Sequence, residues 1–232
     1  MESKNKKSVV RIAVMLLLVM VFFPLLPMII SGRWNWWEAW VMAALFVLGF
    51  IISRAIAARK TPDILKERAN YSDHDDTQAW DKWLSPVVAF GSVFILLAAG
   101  LDDRFNWSPD LSLGLVLLGL ALVVIGYSLG SYALIENAFF SGTVRLQPER
   151  GQTVVKSGPY AWVRHPGYLG SLIASIGMPL LLDSLWAYLP AIIIGFFFIL
   201  RTHLEDRFLQ ENLPGYSDYA KKVRYRLLPG IW

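Results

Sequence analysis

The sequence predicts an all-α polytopic integral membrane protein with about six hydrophobic helices. Hydrophobic residues make up 55% of the 232 residues and charged residues only 17%, whereas soluble domains usually carry about 25% charge. The apolar residues form runs close to the roughly 20 residues that a helix needs to cross a bilayer. Lys and Arg are concentrated in alternate connecting segments, as expected for a chain that crosses a membrane repeatedly.

Six apolar runs are the predicted spans. The first run is too long for a signal peptide and is not followed by a small-residue cleavage site, so we expect it to be retained. Pro24 and Pro27 are expected to bend it. The last two runs are short and separated by three residues, which predicts a tight helical hairpin. The six runs cover residues 9–30, 36–57, 83–101, 111–135, 169–182 and 186–200.

The basic residues predict how these spans are oriented. With the N-terminus in the cytoplasm, 20 of the 22 Lys and Arg residues fall in cytoplasmic segments. Only Arg33 and Arg104 lie on the other side, and the loop around Arg104 is acidic. Because basic loops tend to remain in the cytoplasm, both termini and the segment before residue 169 are predicted to be cytoplasmic.

Missing residue types restrict the possible chemistry. The chain contains no Cys, which excludes disulfides, thiolate nucleophiles and thiolate-ligated metals. It has neither a glycine-rich nucleotide motif nor a serine nucleophile motif. His74 stands among acidic residues, but no second His is nearby, so no metal is expected. Charged residues are nearly absent from the span interiors, which argues against an ion-coupled transporter.

The connecting segments carry four further predictions. Residues 61–81 are expected to contain a short surface helix that begins near Thr61. Residues 143–156 are expected to form a β-like hairpin with a turn at Pro148 to Gly151. Gly126 and Gly130 are spaced for close helix packing. Glu136 and Asn137, near the inner end of the fourth span, either cap the helix at the interface or face the site.

Three segments on the cytoplasmic side supply the candidate site. They are GPYAWVRHPGYLG (158–170), RTHLEDR (201–207) and the tail YSDYAKKVRYRLLPGIW (216–232). Each has a simpler explanation on its own: an interfacial histidine, an i,i+4 salt bridge between Arg201 and Glu205, or headgroup binding by a basic tail. Together they offer Arg for a carboxylate, Glu for an ammonium, and His and Tyr for hydrogen bonds. That inventory suits a zwitterionic, amino-acid-like ligand.

The three segments resemble the isoprenylcysteine carboxyl methyltransferase family, which belongs to the wider membrane phospholipid methyltransferases. The resemblance covers residues 137–232, so we divide the single membrane domain into four N-terminal helices (1–136) and a methyltransferase half (137–232). Its specific parts are the Arg-His-Pro-x-Tyr core and an acid pair after the hairpin. The usual Glu-Glu pair is Glu205-Asp206 here, which keeps the charge but shortens the second side chain.

This resemblance implies an enzyme that binds S-adenosylmethionine in a pocket made by the loop, the hairpin and the tail. It implies no metal and no nucleic acid. Arg201 and Glu205 are the implied catalytic residues, with Arg201 orienting the acceptor. The implied donor-binding residues are Tyr160, Arg164, His165, Tyr168, Glu205, Asp206 and Tyr219.

The methyl acceptor is expected to be lipophilic and to reach the pocket from the surrounding membrane lipids. An isoprenylcysteine-type carboxylate is the first expectation, and because it is already anionic it needs no general base. A phospholipid amine is the alternative, for which His165, Glu205 or a water path would have to accept a proton. A membrane transporter or lipid-binding scaffold is the alternative from another class. Short loops favour a bacterial inner membrane over the endoplasmic reticulum, and no oligomeric state is predicted.

Overall fold

The computed structural model describes residues 18–64, 67 and 76–232. No β-strand occurs in these residues, and the predicted all-α polytopic membrane architecture is confirmed. Asp63, Ile64 and Glu67 are helical, in agreement with a helix that begins just after Thr61. The α-helices are α1 (Phe23–Ser31), α2 (Trp37–Lys60), α3 (Asp81–Phe105), α4 (Leu113–Glu136), α5 (Pro166–Leu181), α6 (Tyr188–Asn212) and α7 (Tyr216–Lys222).

The predicted spans correspond to six of these helices. By length and composition α2, α3, α4 and α6 can cross a membrane, and two shorter apolar helices cover Leu18–Ser31 and Pro166–Leu181. Residues 9–17 of the first predicted span lie outside the described part. The helix of the last predicted span continues beyond its apolar run, which ends at Leu200, to Asn212. Hydropathy falls after Leu200, but most of the residues that follow are good helix formers, so the helix persists beyond its apolar part.

Helices α4 and α5 approach each other closely through glycine. A Cβ added to Gly126 would lie 2.5 Å from the carbonyl oxygen of Gly170, and one added to Gly119 would lie 2.8 Å from that of Gly177. A Cβ on Gly170 would meet the backbone nitrogen of Gly130 at 2.7 Å. The predicted packing role of Gly126 is therefore confirmed. A Cβ on Gly130 would have no atom nearer than 4.0 Å, so Gly130 contributes to the contact only through its backbone. This contact sets the start of α5 against the inner half of α4.

The predicted α5–α6 hairpin is also confirmed, and polar bonds fix it at the end of the bundle opposite the candidate site. Asp183 turns the chain with φ of +53° and accepts a hydrogen bond of 2.7 Å from the backbone N–H of Leu111. Asp102, at the end of α3, is buried and accepts bonds from the Ser108 backbone N–H and from the Ser184 hydroxyl. The short hairpin brings α6 back to the level at which α5 began.

The predicted β-like hairpin over residues 143–156 is wrong because no strands form, but its predicted turn at Pro148 to Gly151 is present, with the Gly151 N–H donating to the Pro148 carbonyl at 3.0 Å. Pro148–Arg150 form a 3₁₀ turn, followed by Gly151 with φ of +63°. The backbone of Val144 bonds instead to residues at the start of α3 and just before it. Its N–H donates to the Asp81 carboxylate (2.6 Å) and its carbonyl accepts from the Gln78 N–H (3.0 Å). A strand partner is not needed because these groups are already satisfied.

Candidate active site

A cavity of about 850 Å³ lies between α2–α6, the segment before α5 and the C-terminal region. It brings together seven of the eight predicted site residues. Those seven are Tyr160, Arg164, His165, Tyr168, Arg201, Glu205 and Tyr219. Asp206 does not line the cavity.

The cavity has a polar part and an apolar part. The polar part is made by the loop residues and by the inner ends of α5 and α6. The lining then follows α5 from Gly167 to Met178, more than three helical turns into the bundle. There it is bounded by Phe46 of α2, Phe90 of α3 and Tyr127 of α4. One continuous space therefore offers charged groups at one end and hydrocarbon surface at the other.

The Arg-His-Pro motif is paired with the C-terminal tail. The backbone N–H of Arg164 donates to Tyr225 (2.9 Å) and that of His165 donates to Arg226 (3.0 Å). Pro166 begins α5, where its missing N–H is no loss. These bonds hold the tail against the start of α5, so that the tail closes one side of the cavity.

Asp206 supports the cavity wall from behind. Its side chain is fully buried and accepts two bonds from Arg164, at 2.6 and 2.9 Å. It also accepts from Tyr216 (3.1 Å) and Arg226 (2.8 Å), and lies 3.2 Å from Nε2 of His165. A buried carboxylate with this many donors is well satisfied, and it joins α6, the motif and the tail at one point.

Tyr168 lies at the centre of the remaining polar residues. Its hydroxyl donates to Oε2 of Glu205 at 2.6 Å. Its ring stacks on His165, with centroids 5.9 Å apart and planes inclined by 9°. The guanidinium carbon of Arg201 lies 5.4 Å from the same ring. Glu205, His165 and Arg201 are thus arranged around one aromatic ring.

Arg201 pairs with Asp81, rather than with Glu205 as an i,i+4 salt bridge would require. Its Nε and Nη2 donate to the Asp81 carboxylate at 2.7 and 2.9 Å, and Nη2 also donates to the Gly142 carbonyl at 2.8 Å. Asp81 is fully buried. Sequence reasoning missed it, because an acid in the first turn of a helix is common for electrostatic reasons alone. Its partner is 120 residues away.

Tyrosines close the loop side of the cavity. The hydroxyl of Tyr219 donates to the Tyr160 carbonyl at 2.7 Å, and burial raises the pKa of both phenols above the ordinary value. Asn137 lines the cavity and donates to the Tyr160 hydroxyl (3.2 Å). Glu136 instead accepts a bond of 2.7 Å from Lys60. The sequence left two roles open for these residues, and each residue takes one of them: Asn137 faces the site, and Glu136 makes an interfacial ion pair.

Arg145 joins the cavity to the α2–α3 connection. It is buried and pairs with Glu67 (2.9 Å), Asp76 (3.1 Å) and Glu149 (2.8 Å). Burial lowers the pKa of Arg145, but its bonds to the carboxylates outweigh burial and raise the pKa overall. Within the described ranges no group of three His, Asp or Glu residues is arranged to hold a metal. His74 lies outside them.

Comparison with known proteins identifies the half of the chain that carries the site. The sequence profile of the isoprenylcysteine carboxyl methyltransferase (ICMT) family matches residues 117–211. Protein-S-isoprenylcysteine O-methyltransferase of Saccharomyces cerevisiae is 34% identical over 114 residues, which is 46% of this chain and 46% of that protein. The tail after residue 211 lies outside the profile match.

Two further relatives carry other names. Cobalt-zinc-cadmium resistance protein CzcN of Cupriavidus metallidurans is 31% identical over 59% of this chain and 58% of its own length. Delta(14)-sterol reductase TM7SF2 of Mus musculus is 31% identical over 53% of this chain and 32% of its own. The chain thus spans about a third to three fifths of these three relatives. Over residues 117–211 the chain is similar to the isoprenylcysteine carboxyl methyltransferase family, which confirms the resemblance inferred from its motifs.

Proposed function

We propose that this protein is an integral-membrane methyltransferase that moves a methyl group from S-adenosylmethionine to a lipophilic carboxylate of the isoprenylcysteine type. The observation that carries the proposal is the single cavity, which joins the motif residues to an apolar region among the helices. A polar donor and a lipophilic acceptor need such a two-part site. The family match over residues 117–211 and the yeast relative's name support the same chemistry.

The residues at the polar end fit this donor. The volume of about 850 Å³ lies at the upper end of small-molecule sites, which are roughly 300–1,000 Å³, and leaves room for an acceptor beside the donor. Glu205 offers a carboxylate to the methionine ammonium. His165, Tyr168, Tyr160 and Tyr219 offer hydrogen bonds and ring surface. Arg164 and Asp206 hold this wall in place, so we assign Asp206 a supporting role without ligand contact.

The main contribution of the protein to this reaction is to position the donor and the acceptor. When bound, S-adenosylmethionine supplies a methyl group already activated on a sulfonium. Arg201 holds the acceptor carboxylate in line, and an anionic oxygen needs no general base. The packed rings of His165 and Tyr168 exclude water from one side of the site. Arg201 and Glu205 are separated by one helical turn, about 6 Å along α6, which gives the two ligands neighbouring binding groups.

The acceptor approaches from the bilayer through the apolar part of the cavity, and the donor comes from the cytoplasm. This requires the orientation derived from the basic residues, with both termini in the cytoplasm. A bacterial inner membrane is the location that we propose.

Donor binding is the first test. Calorimetry of the purified protein with S-adenosylhomocysteine should show saturable binding, and Glu205→Ala should weaken it about 10- to 100-fold, as expected for a lost charged hydrogen bond. His165→Ala should also weaken it. Glu211→Ala is the matched control, because Glu211 is exposed and pairs only with exposed Arg207. Folded wild-type protein that does not bind S-adenosylhomocysteine would contradict the methyltransferase assignment.

Transfer of a radiolabelled methyl group is the second test. A farnesyl-cysteine analogue with a free carboxylate should be labelled, and a phosphatidylethanolamine extract should not. Labelling of the extract alone would replace the carboxylate with an amine as acceptor. A relative named sterol reductase is similar to 53% of this chain, so donor binding and transfer have to be measured separately.

A further inference from the structure

The buried pair of Asp81 and Arg201 organises a segment of the cavity wall around Thr143, which none of the three motif segments includes. Asp81 itself lies outside the family match over residues 117–211. Asp81 accepts from Arg201 with both carboxylate oxygens and from the Val144 backbone N–H at 2.6 Å. Arg201 in turn donates to the Gly142 carbonyl at 2.8 Å. The pair therefore holds the residues on both sides of Thr143.

Thr143 has an unsatisfied hydroxyl at this position. Its Oγ1 is one of two buried side-chain polar atoms without a hydrogen-bond partner in the described part of the chain. The residue is 7% exposed and lines the cavity. Buried polar groups nearly always have a partner. Because this hydroxyl has no hydrogen-bond partner and lies beside a ligand-sized cavity, it can form a hydrogen bond with a ligand bound in the cavity.

Arg201 also has donor capacity left. Asp81 and Gly142 occupy Nε and Nη2, whereas Nη1 makes none of these bonds. Arg201 lines the cavity, and Gly142 bonded to its Nη2 is the neighbour of Thr143 in the chain. Arg201 and Thr143 both line the cavity, so a guanidinium N–H group and a hydroxyl remain to bond the two oxygens of a carboxylate.

We propose that Thr143 and Arg201 together bind the carboxylate of the acceptor, and that Asp81 is the positioning residue for both. This inference rests on the proposed carboxylate methylation and adds the residues that recognise the acceptor. Asp81 also neutralises Arg201 when the site is empty, so the acceptor is recognised by hydrogen-bond geometry more than by net charge.

The test compares Thr143→Val, which keeps the shape without the hydroxyl, with Thr143→Ser, which keeps the hydroxyl. The acceptor is a farnesyl-cysteine analogue with a free acid, and its carboxamide is the competing inhibitor. Thr143→Val should lower kcat/KM for the acid about tenfold and Thr143→Ser less than about threefold, where tenfold corresponds to about 1.4 kcal/mol. S-adenosylhomocysteine affinity should remain within about twofold in both variants.

Asp81→Asn removes the charge that neutralises Arg201, so the preference for binding the acid over the carboxamide should be kept or increased. The kcat for the acid should nevertheless fall, because Arg201 loses the bonds that fix its position; general loosening of the fold would not produce this split between binding and turnover. Asp110→Asn, at an exposed position on the other side of the bundle, is the matched control and should equal the wild type. If Asp81→Asn does not fold, the comparison of Thr143→Val with Thr143→Ser tests the inference by itself. The inference, but not the proposed function, would be overturned if Thr143→Val had wild-type kinetics. It would also be overturned if Thr143→Val lost as much affinity for S-adenosylhomocysteine as it lost in kcat/KM for the acid. A wild-type protein that neither methylates nor binds the acid would overturn it together with the proposed function.

Discussion

Asp206 is the residue whose position differs most from its expected role. The acid pair suggested that both carboxylates meet the donor, but only Glu205 reaches the cavity. Asp206 turns away from it and binds Arg164, Tyr216 and Arg226. Adjacent residues on a helix point about 100° apart, and here that rotation directs Asp206 behind the wall while Glu205 faces the cavity. The shorter side chain of Asp206 suits the fully enclosed position that it occupies.

Asp206→Glu tests this packing. The extra methylene has no space to occupy, so we expect the free energy of unfolding to fall by about 1–3 kcal/mol, measured by thermal unfolding in detergent. Asp218→Glu is the control, because Asp218 is exposed and pairs with exposed Lys221. If Asp206→Glu instead bound S-adenosylhomocysteine more tightly and left stability unchanged, Asp206 would be a ligand-facing residue.

The buried tyrosines predict how the site responds to alkaline pH. Burial raises the pKa of Tyr160, Tyr216 and Tyr219. A raised pKa keeps each phenol neutral to higher pH, and its hydrogen bonds are lost only as pH rises through that value. We therefore expect S-adenosylhomocysteine affinity to be constant from about pH 8 to about pH 9.5, since free tyrosine ionises near pH 10. A decline in S-adenosylhomocysteine affinity within this pH range that Tyr219→Phe abolishes would contradict the prediction.

At the scale of elements, the α4–α5 contact determines where the motif lies. The two helices meet along Gly119, Gly126, Gly170 and Gly177. Periodic glycines in an apolar run predict close packing, and that part was readable from the sequence. The sequence did not show which helix is the partner, because any apolar helix with small residues can make such a contact.

Gly126→Ala tests the contact. Its Cβ would lie 2.5 Å from a backbone oxygen of α5, so the helices must separate. We expect a loss of about 1–3 kcal/mol in the free energy of unfolding together with weaker S-adenosylhomocysteine binding. Gly114→Ala in α4 is the control, because the nearest atom to its Cβ is the Ser112 hydroxyl oxygen at 3.9 Å and Gly114 does not line the cavity. Equal behaviour of the two variants would show that the glycine contact does not set the site.

At the scale of the whole molecule, polar groups accumulate at one end of an apolar bundle. Ile192, Phe196 and Ile199 of α6 are largely exposed and suit a lipid environment, whereas the inner end of the same helix carries Arg201, Glu205 and Asp206. We propose on this basis that the N-terminal helices, residues 1–136, complete the cavity that residues 137–232 begin. Asp81 belongs to the first of these parts and Arg201 to the second.

The cysteine-free sequence allows a direct test of orientation. Asp110→Cys in the loop before α4 and Lys222→Cys at the end of α7 each introduce a single exposed thiol. A membrane-impermeant maleimide should label Asp110→Cys on intact cells and Lys222→Cys only after permeabilisation. The positive-inside distribution is the physical reason. The reverse labelling pattern would place the site on the wrong side for a cytoplasmic donor.

The sequence by itself determined the membrane architecture and the positions of the predicted spans within the described residues, and it predicted eight site residues, seven of which line the cavity. Hydropathy and short motifs are local properties, so one chain is enough to read them. Only the tertiary structure decided that Arg201 pairs with Asp81, that Asp206 lies behind the wall, and that residues 143–156 form no strand. These outcomes depend on contacts between residues far apart in the chain, and a buried charge takes whichever partner the packing brings to it.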